Sequence, residues 1–163
     1  MPEITPIQPS QTEEARRVIY TVAHYLFHDR DTVEETIAYY KTAWPLPDIA
    51  DYQHKYRENG GDFLVMTHGG RIIGTGAIWR LEEQVGEIKR LWLLQEYQGQ
   101  GLGYQMMLRL LAIAREQGYQ KVRLETSPAY QARAVAFYQR LGFYEIPRYG
   151  DDEADVGMEL VLT

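Results

Sequence analysis

The sequence predicts an α/β (α+β) fold in which a mixed central β-sheet carries helices on both faces. Three observations predict it. Strand-like segments follow one another between residues 63 and 94, which indicates an antiparallel meander. Apolar residues then recur at helical spacing from Leu102 to Gln117. Beyond that helix, strand-like and helical segments alternate, which is typical of helix-linked crossovers within one sheet.

The first sixty residues are predicted to form one short strand and three helical stretches. Glu13 and Glu14 favour a helix start, because acidic side chains stabilise a first turn. Prolines at positions 45 and 47 end the second stretch, and Asn59–Gly61 closes the third. The predicted segments are Glu3–Gln8 as a strand and Glu13–Phe27, Val33–Trp44 and Ile49–Glu58 as helices.

The remaining residues are predicted to supply most of the sheet. Gly69–Gly70 is a two-residue hairpin turn between the first two strands of this part. Gly118 and Gly142 end two helices, the second of which is marked by Ala134 to Leu141. The acidic loop Asp151–Asp155 separates the two closing strands. The predicted strands are Phe63–Thr67, Ile72–Trp79, Val85–Leu94, Val122–Glu125, Phe143–Ile146 and Val156–Leu162.

Length, charge and composition narrow the class of protein. With 163 residues and 45% hydrophobic residues, the chain is expected to be a single globular domain over 1–163. Its longest apolar runs are far shorter than the ~18 residues that span a bilayer, so no membrane partner is expected. Met1–Ser10 lacks the pattern of a secretory leader, and a cytoplasmic location is expected.

The absence of cysteine excludes a disulfide framework, a thiolate nucleophile and cysteine-ligated zinc. The sequence pI of about 5.2 argues against nucleic-acid binding, which usually needs a basic surface. The net charge of −6 favours a cationic partner only weakly.

Three alternating glycines, Gly99, Gly101 and Gly103, stand between a predicted strand and a long helix. Glycines allow a ligand to approach the backbone closely, and the first amides of a helix form an anion site. We therefore expect pyrophosphate binding. A P-loop is excluded because no Gly-Lys-Ser/Thr triplet follows, and the dinucleotide fingerprint fails because Tyr104 or Met106 stands at its last glycine position. The alternative is a turn that only allows tight strand–helix packing.

The segment Gln98-Gly-Gln-Gly-Leu-Gly103 resembles the Gln/Arg-x-x-Gly-x-Gly/Ala signature of the GNAT acetyltransferase superfamily. Leu124-Glu-Thr126 and Ala134-x-x-x-Tyr138-x-x-x-Gly142-Phe143 resemble its second conserved block. The similarity covers residues 61–162 and is much weaker over 1–60. The resemblance implies a GNAT fold with a splayed strand pair that holds the coenzyme. Residues 61–162 would form the coenzyme-binding core, and 1–60 the acceptor-side helical region.

The resemblance implies acetyl-CoA as cosubstrate and no metal. Backbone amides of the glycine turn would hold the pyrophosphate, and the pantetheine would pair with the strand around Leu91. Many members carry Asn where this chain has Gln131, so that contact departs from the family pattern. The residues assigned to coenzyme binding are Leu91, Trp92, Leu93, Gln98, Gly99, Gln100, Gly101, Leu102, Gly103, Tyr104 and Gln131.

Two catalytic residues follow from the same resemblance. Glu87 lies eleven residues before Gln98, which is the spacing of the general base in GNAT histone acetyltransferases. Tyr138 stands at the position of the general acid that protonates the departing thiolate. The alternatives are an exposed strand-end Glu87 paired with Lys89 or Arg80, and a Tyr138 that only packs in the core.

The implied function is transfer of an acetyl group from acetyl-CoA to a primary amine, of a small molecule or a protein, by direct attack in a ternary complex. The rival interpretation is a non-catalytic acyl-CoA-binding or regulatory module. Members of the family often dimerise, so the resemblance makes a homodimer one expected oligomeric state. His24 and His28 share a helical face, but without a third ligand they indicate pocket lining or packing rather than zinc.

Overall fold

The computed structural model describes residues 1–150 and 156–163, so the predicted loop Asp151–Asp155 lies outside the described residues. The strands are β1 Glu3–Pro6, β2 Asp62–His68, β3 Arg71–Glu82, β4 Val85–Leu93, β5 Lys121–Thr126, β6 Tyr144–Ile146 and β7 Val156–Val161. The α-helices are α1 Thr12–Phe27, α2 Val33–Ala43, α3 Pro47–Ala50, α4 Leu102–Glu116 and α5 Pro128–Leu141.

The strands form one seven-stranded sheet in the order β1-β2-β3-β4-β5-β7-β6. Every neighbouring pair is antiparallel except β4 and β5, which are parallel and joined through α4. Gly69 and Gly70 both adopt positive φ, as a tight hairpin between β2 and β3 requires. The predicted mixed sheet is therefore confirmed.

Helices cover both faces of the sheet, because alternate residues of each strand point to opposite sides. Leu64 and Met66 of β2 pack into one core with α4 and α5, which we call the α4-face core. Phe63 and Val65 of the same strand pack into a second core with α1, α2 and α3, which we call the α1-face core. This alternation confirms the prediction of helices on both faces.

The parallel strands β4 and β5 part soon after they begin. Their pairing runs from Val85 opposite Lys121 to Glu87 opposite Arg123 and ends there. Both strands continue, β4 to Leu93 and β5 to Thr126, so their later halves splay apart. This gap agrees with the expected splayed strand pair.

The third predicted helix, Ile49–Glu58, is wrong. The chain forms the short α3 and then a single π-helical turn over Gln53–Arg57. The amide of Glu58 donates to the carbonyl of Gln53, which is the wide spacing of a π turn. This widening lets the ring of Tyr56 reach full burial against Phe63 and Trp79, so tertiary packing overrides the local helical pattern.

Candidate active site

A cleft of about 720 Å³ lies where β4 and β5 splay apart. Residues of β3, β4, the glycine turn, α4, α5 and α1 line it. It brings together most of the residues singled out from the sequence. Those lining it are Leu91, Trp92, Leu93, Gln98, Gly99, Gly101, Leu102, Gly103, Tyr104, Gln131 and Tyr138. Gln100 and Glu87 are not among the lining residues.

The glycine turn is held in a conformation that needs glycine at two positions. Gly99 and Gly101 have φ of 82° and 81°, a left-handed region that other residues rarely adopt. Gly101 is the N-cap residue directly before α4, so the first amides of that helix open at the cleft. The amide nitrogen Nε2 of Gln98 donates to the carbonyl of Leu93 at 3.0 Å and ties the turn to β4. Free amides at the start of a helix are the groups that anion sites in proteins use.

Among the residues described as lining the cleft, the charged ones are Arg133 and Arg140 of α5. They lie seven residues apart, or about two helical turns, and so share one side of the helix. A Cβ atom added to Gly99 would lie 3.0 Å from Nη2 of Arg133, which puts this guanidinium against the glycine turn. The sequence interpretation missed both arginines. The available signal was their position next to the second motif, since Arg133 directly precedes Ala134 and Arg140 lies between Tyr138 and Gly142.

Strand β4 carries a bulge at the point where the cleft opens. Thr75 of β3 faces Trp92 while Ala77 faces Lys89, so β4 has one residue more than β3 between these pairs. Arg90 at this bulge has a φ of 55°, which is unusual for a residue other than glycine. The bulge turns Leu91 toward the α4-face core and Trp92 toward the α1-face core.

Asp48 at the start of α3 holds the bulge from the α1 face. Its two oxygens accept hydrogen bonds from Nε and Nη2 of Arg90, both at 3.0 Å, and the Tyr56 hydroxyl also donates to it. Burial alone would raise the pKa of Asp48, but the hydrogen bonds and charge of Arg90 outweigh burial and keep this pKa below its usual value.

Tyr138 of α5 lies at the inner part of the cleft. Its ring packs between those of Phe137 and Phe143, with centroid distances of 5.7 and 5.8 Å. Burial raises the pKa of its hydroxyl to about 12, so the group stays protonated at neutral pH. Within residues 1–150 and 156–163, no side chain or carbonyl forms a hydrogen bond with this hydroxyl. Tyr138 is also among the residues that line the cleft.

Glu87 is a buried carboxylate at the last paired position of β4 and β5, with 6% of its surface exposed. Its Oε1 accepts a hydrogen bond from Nε1 of Trp79 and its Oε2 accepts one from the Tyr149 hydroxyl, both at 2.7 Å. Burial, and then the negative charge of Glu87, raise the pKa of Tyr149 far above its usual value. Glu87 is thus not the exposed residue of the alternative interpretation, and it does not touch the cleft directly.

Gln131 and Gln100 differ in position. Gln131 has a φ of −131° that interrupts the regular geometry of α5, and its Oε1 accepts a hydrogen bond from Oγ1 of Thr126 at 3.0 Å. Its amide group lines the cleft beside α5. The side chain of Gln100 instead turns back and donates to the carbonyl of Glu96 at 3.4 Å.

His24 and His28 do not share a helical face, because α1 ends at Phe27 and the exposed His28 follows it with a left-handed backbone. His24 is buried, and its Nδ1 lies 2.7 Å from Oγ1 of Thr36. The ring of His28 meets that of His24 edge to face at 5.6 Å. In the part of the chain that the structure describes, no three His, Asp or Glu side chains converge as a metal site would require. None of the helices formed by these residues has the length and apolar character needed to cross a membrane.

Comparison with known proteins gives a consistent picture. The model of the acetyltransferase (GNAT) family matches residues 29–143. An uncharacterized N-acetyltransferase of Escherichia coli, YjgM, is 30% identical over 103 residues, which are 61% of either chain. The IAA acetyltransferase of Azospirillum brasilense is 34% identical over 104 residues, which are 61% of this chain and 67% of that protein. Mammalian relatives such as the rat N-acetyltransferase family 8 member 2 are matched over only about half of their length.

Solved structures share the fold over the whole chain. An acetyltransferase of the GNAT family from Staphylococcus aureus superposes with a TM-score of 0.83 at 20% identity, and each chain is fully covered. The PaiA N-acetyltransferase of Thermoplasma acidophilum, solved in complex with coenzyme A, gives a TM-score of 0.78 at 20% identity, with 99% of each chain covered.

Proposed function

The chain belongs to the acetyltransferase (GNAT) family. We propose that it transfers an acetyl group from acetyl-CoA to a primary amine by direct attack in a ternary complex. The observation that carries this proposal is the cleft between the splayed halves of β4 and β5. It has an anion-binding glycine turn at one end and a protonated tyrosine hydroxyl farther in. The coenzyme A bound in the Thermoplasma neighbour supports the same ligand here.

The residues of the cleft fit the parts of the coenzyme. In the proposal, the amides from Gln100 to Gly103 bind the pyrophosphate, with Gln98 and Tyr104 at its edge. Arg133 adds a positive charge beside Gly99, where the phosphates would lie. The exposed main chain of Leu91, Trp92 and Leu93 is free of β5 and can pair with the amides of the pantetheine arm. Gln131 can donate to the same arm from α5.

The proposed chemistry needs a proton removed at the amine and a proton supplied at the sulfur. Attack of a neutral amine on the thioester carbonyl forms a C–N bond, and collapse of the tetrahedral intermediate breaks the C–S bond. Tyr138 is the proposed acid that protonates the departing thiolate, and the proton that the attacking nitrogen loses as the amide forms restores the Tyr138 hydroxyl. The amide near Leu91 faces the oxygen on which charge develops.

Glu87 is the proposed base. Because neither its carboxylate nor Tyr149, which donates to it, lines the cleft, the proton from the ammonium group would reach Glu87 through bridging water.

The acceptor is proposed to approach from the α1 face. Val22 and Leu26 of α1, together with Trp92 and Tyr130, line the cleft there. This surface is apolar, which suits an amine attached to an apolar or aromatic group. The proposed location is the cytoplasm, in keeping with a chain that lacks cysteine. The remaining alternative is a coenzyme-binding module without turnover.

The deciding experiment measures binding and turnover in sequence. Thermal unfolding with and without acetyl-CoA comes first, and release of free thiol with a panel of aliphatic and aromatic primary amines follows. The proposal expects stabilisation by acetyl-CoA and turnover with at least one amine. Stabilisation without turnover on any amine would favour the binding module, and no stabilisation would reject both.

A further inference from the structure

The bulge of β4 is the point at which the coenzyme-binding strand leaves regular pairing. Arg90 there adopts a left-handed backbone conformation that an L-residue holds only when its surroundings impose it. The next residue, Leu91, already lines the cleft. Whatever fixes Arg90 therefore fixes the direction of the main-chain groups that would meet the thioester end of the coenzyme.

Arg90 is held by hydrogen bonds to its main chain and to its side chain. On the sheet, Oγ1 of the fully buried Thr75 donates to its carbonyl oxygen at 2.7 Å. Away from the sheet, its guanidinium forms a bidentate pair with Asp48, which has 9% of its surface exposed. A fork of two parallel hydrogen bonds fixes orientation as well as distance, which a single contact does not.

Asp48 is itself rigidly held. It lies in the first turn of α3, next to the fully buried Ile49, and it accepts a further hydrogen bond from the hydroxyl of the fully buried Tyr56. Its partner Arg90 also lies over the ring of Trp44, which in turn contacts Trp92 of the cleft. The helical region of residues 1–60 thus reaches the bulge through the Asp48 carboxylate and through the ring of Trp44.

We propose that the Asp48–Arg90 pair is a positioning device that holds the β4 bulge in the shape required by the thioester end of the coenzyme. This inference rests on the proposed function. Asp48 and Arg90 are positioning residues here, because they act through the backbone at Leu91 and not by contact with the reacting atoms.

The test compares two ligands on Asp48→Asn and on the wild type. Acetyl-CoA reaches both the glycine turn and the bulge, whereas 3′-phosphoadenosine 5′-diphosphate, which lacks the pantetheine arm, reaches only the glycine turn. Calorimetric titration of Asp48→Asn is expected to show acetyl-CoA binding weakened by about tenfold, the effect of losing one charged contact. Binding of the nucleotide fragment is expected to stay within about twofold, and kcat is expected to fall.

Substitutions of Arg90 provide a second, independent test. Arg90→Lys keeps the positive charge but cannot form the two parallel hydrogen bonds to Asp48. It replaces Asp48→Asn in the test if that variant does not fold. Arg90→Gly permits the left-handed backbone, whereas Arg90→Ala opposes it. The proposal expects acetyl-CoA affinity to be higher for Arg90→Gly than for Arg90→Ala.

The inference would be overturned if the affinities for acetyl-CoA and for the nucleotide fragment fell equally. It would also be overturned if acetyl-CoA affinity and kcat were unchanged in Asp48→Asn and Arg90→Lys. In either case the pair would be purely structural. A wild type that does not bind acetyl-CoA would instead reject the proposed function, so the two failures are distinguishable.

Discussion

The two faces of the sheet are built from different chemistry. The α4-face core is formed mainly by aliphatic and sulfur-containing side chains such as Met66, Met106 and Leu110. The α1-face core contains buried polar groups that are joined by directional hydrogen bonds. Examples are Tyr20 to the carbonyl of Trp44 at 2.6 Å, and Tyr56 to Asp48.

This difference in chemistry suggests that the α4 face borders the cleft, whereas the α1 face fixes the geometry of the β4 bulge. Aliphatic packing is non-directional, so the α4 face can border a cleft without dictating the exact placement of each atom. Hydrogen-bonded pairs in a low-dielectric interior are sensitive to the loss of either partner, so the α1 face fixes the geometry at the bulge. Substitutions on the α1 face should therefore reduce stability, whereas those on the cleft side of the α4 face should reduce turnover first.

The largest effect is expected for Asp48→Ala on the α1 face. The substitution takes the carboxylate away from the half-buried guanidinium of Arg90 and from the Tyr56 hydroxyl. Loss of one partner of a buried pair typically costs ~3–5 kcal/mol, and a free energy of unfolding lower by about 3 kcal/mol is expected. Urea unfolding measures this change. Asp51→Ala, at a nearby exposed aspartate, is the control and should stay within about 0.5 kcal/mol of the wild type.

Tyr138→Phe, on the α4 face, should reduce turnover and leave stability almost unchanged. The ring contacts with Phe137 and Phe143 remain, and no hydrogen bond to described residues is lost, so stability should hardly change. Without the proposed acid, kcat should fall by on the order of 10²-fold, the lower end of the usual range for general acid catalysis. Steady-state kinetics and thermal unfolding on one preparation measure both quantities. Unchanged turnover with intact folding would remove Tyr138 from the mechanism.

The same contrast explains what the sequence could predict. The sheet and the hairpin at Gly69–Gly70 followed from local signals, since glycine positions and apolar periodicity are properties of contiguous residues. Most of the cleft residues named from the sequence came instead from the resemblance of short motifs to the GNAT family. Gly99, Gly101 and Tyr138 belong to such segments. Their roles in binding and proton transfer stay predictions.

The contacts of the α1 face could not be predicted in this way. Asp48 and Arg90 are 42 residues apart, and nothing near either of them indicates the other. The π turn at Gln53–Arg57 likewise depends on the room that Phe63 and Trp79 leave for the ring of Tyr56. Glu87 was selected by spacing, but its burial against Trp79 and Tyr149 depends on strand register and on a distant loop.

Glu87→Gln tests a carboxylate that lies on the α1 face but serves the proposed chemistry. Because Glu87 is expected to act through an intermediary, kcat/KM at pH 7 should fall by about tenfold, less than the ~10²–10⁴ of a directly placed base. The loss should shrink at higher pH, where more of the amine is already neutral. The measurement is the pH dependence of kcat/KM, with Glu83→Gln at an exposed turn as control. A profile that coincides with the wild type would leave Glu87 a structural residue.

The smallest effect is a difference in acid sensitivity between the faces. Since the pKa of Asp48 is lowered in the folded state, protons bind more tightly to the unfolded chain. The stability that the Asp48 carboxylate contributes is thus complete above its unfolded pKa of about 4 and is lost as the pH falls through the folded value. The stability gap between wild type and Asp48→Asn should therefore narrow from pH 7 toward pH 3.

Tyr138→Phe should track the wild type over the same range, because the Tyr138 hydroxyl titrates only near pH 12. Urea unfolding of the three proteins at each pH gives the comparison. A constant gap for Asp48→Asn would show that its carboxylate is not the stabilised group, and would remove the electrostatic basis for the contrast between the two faces.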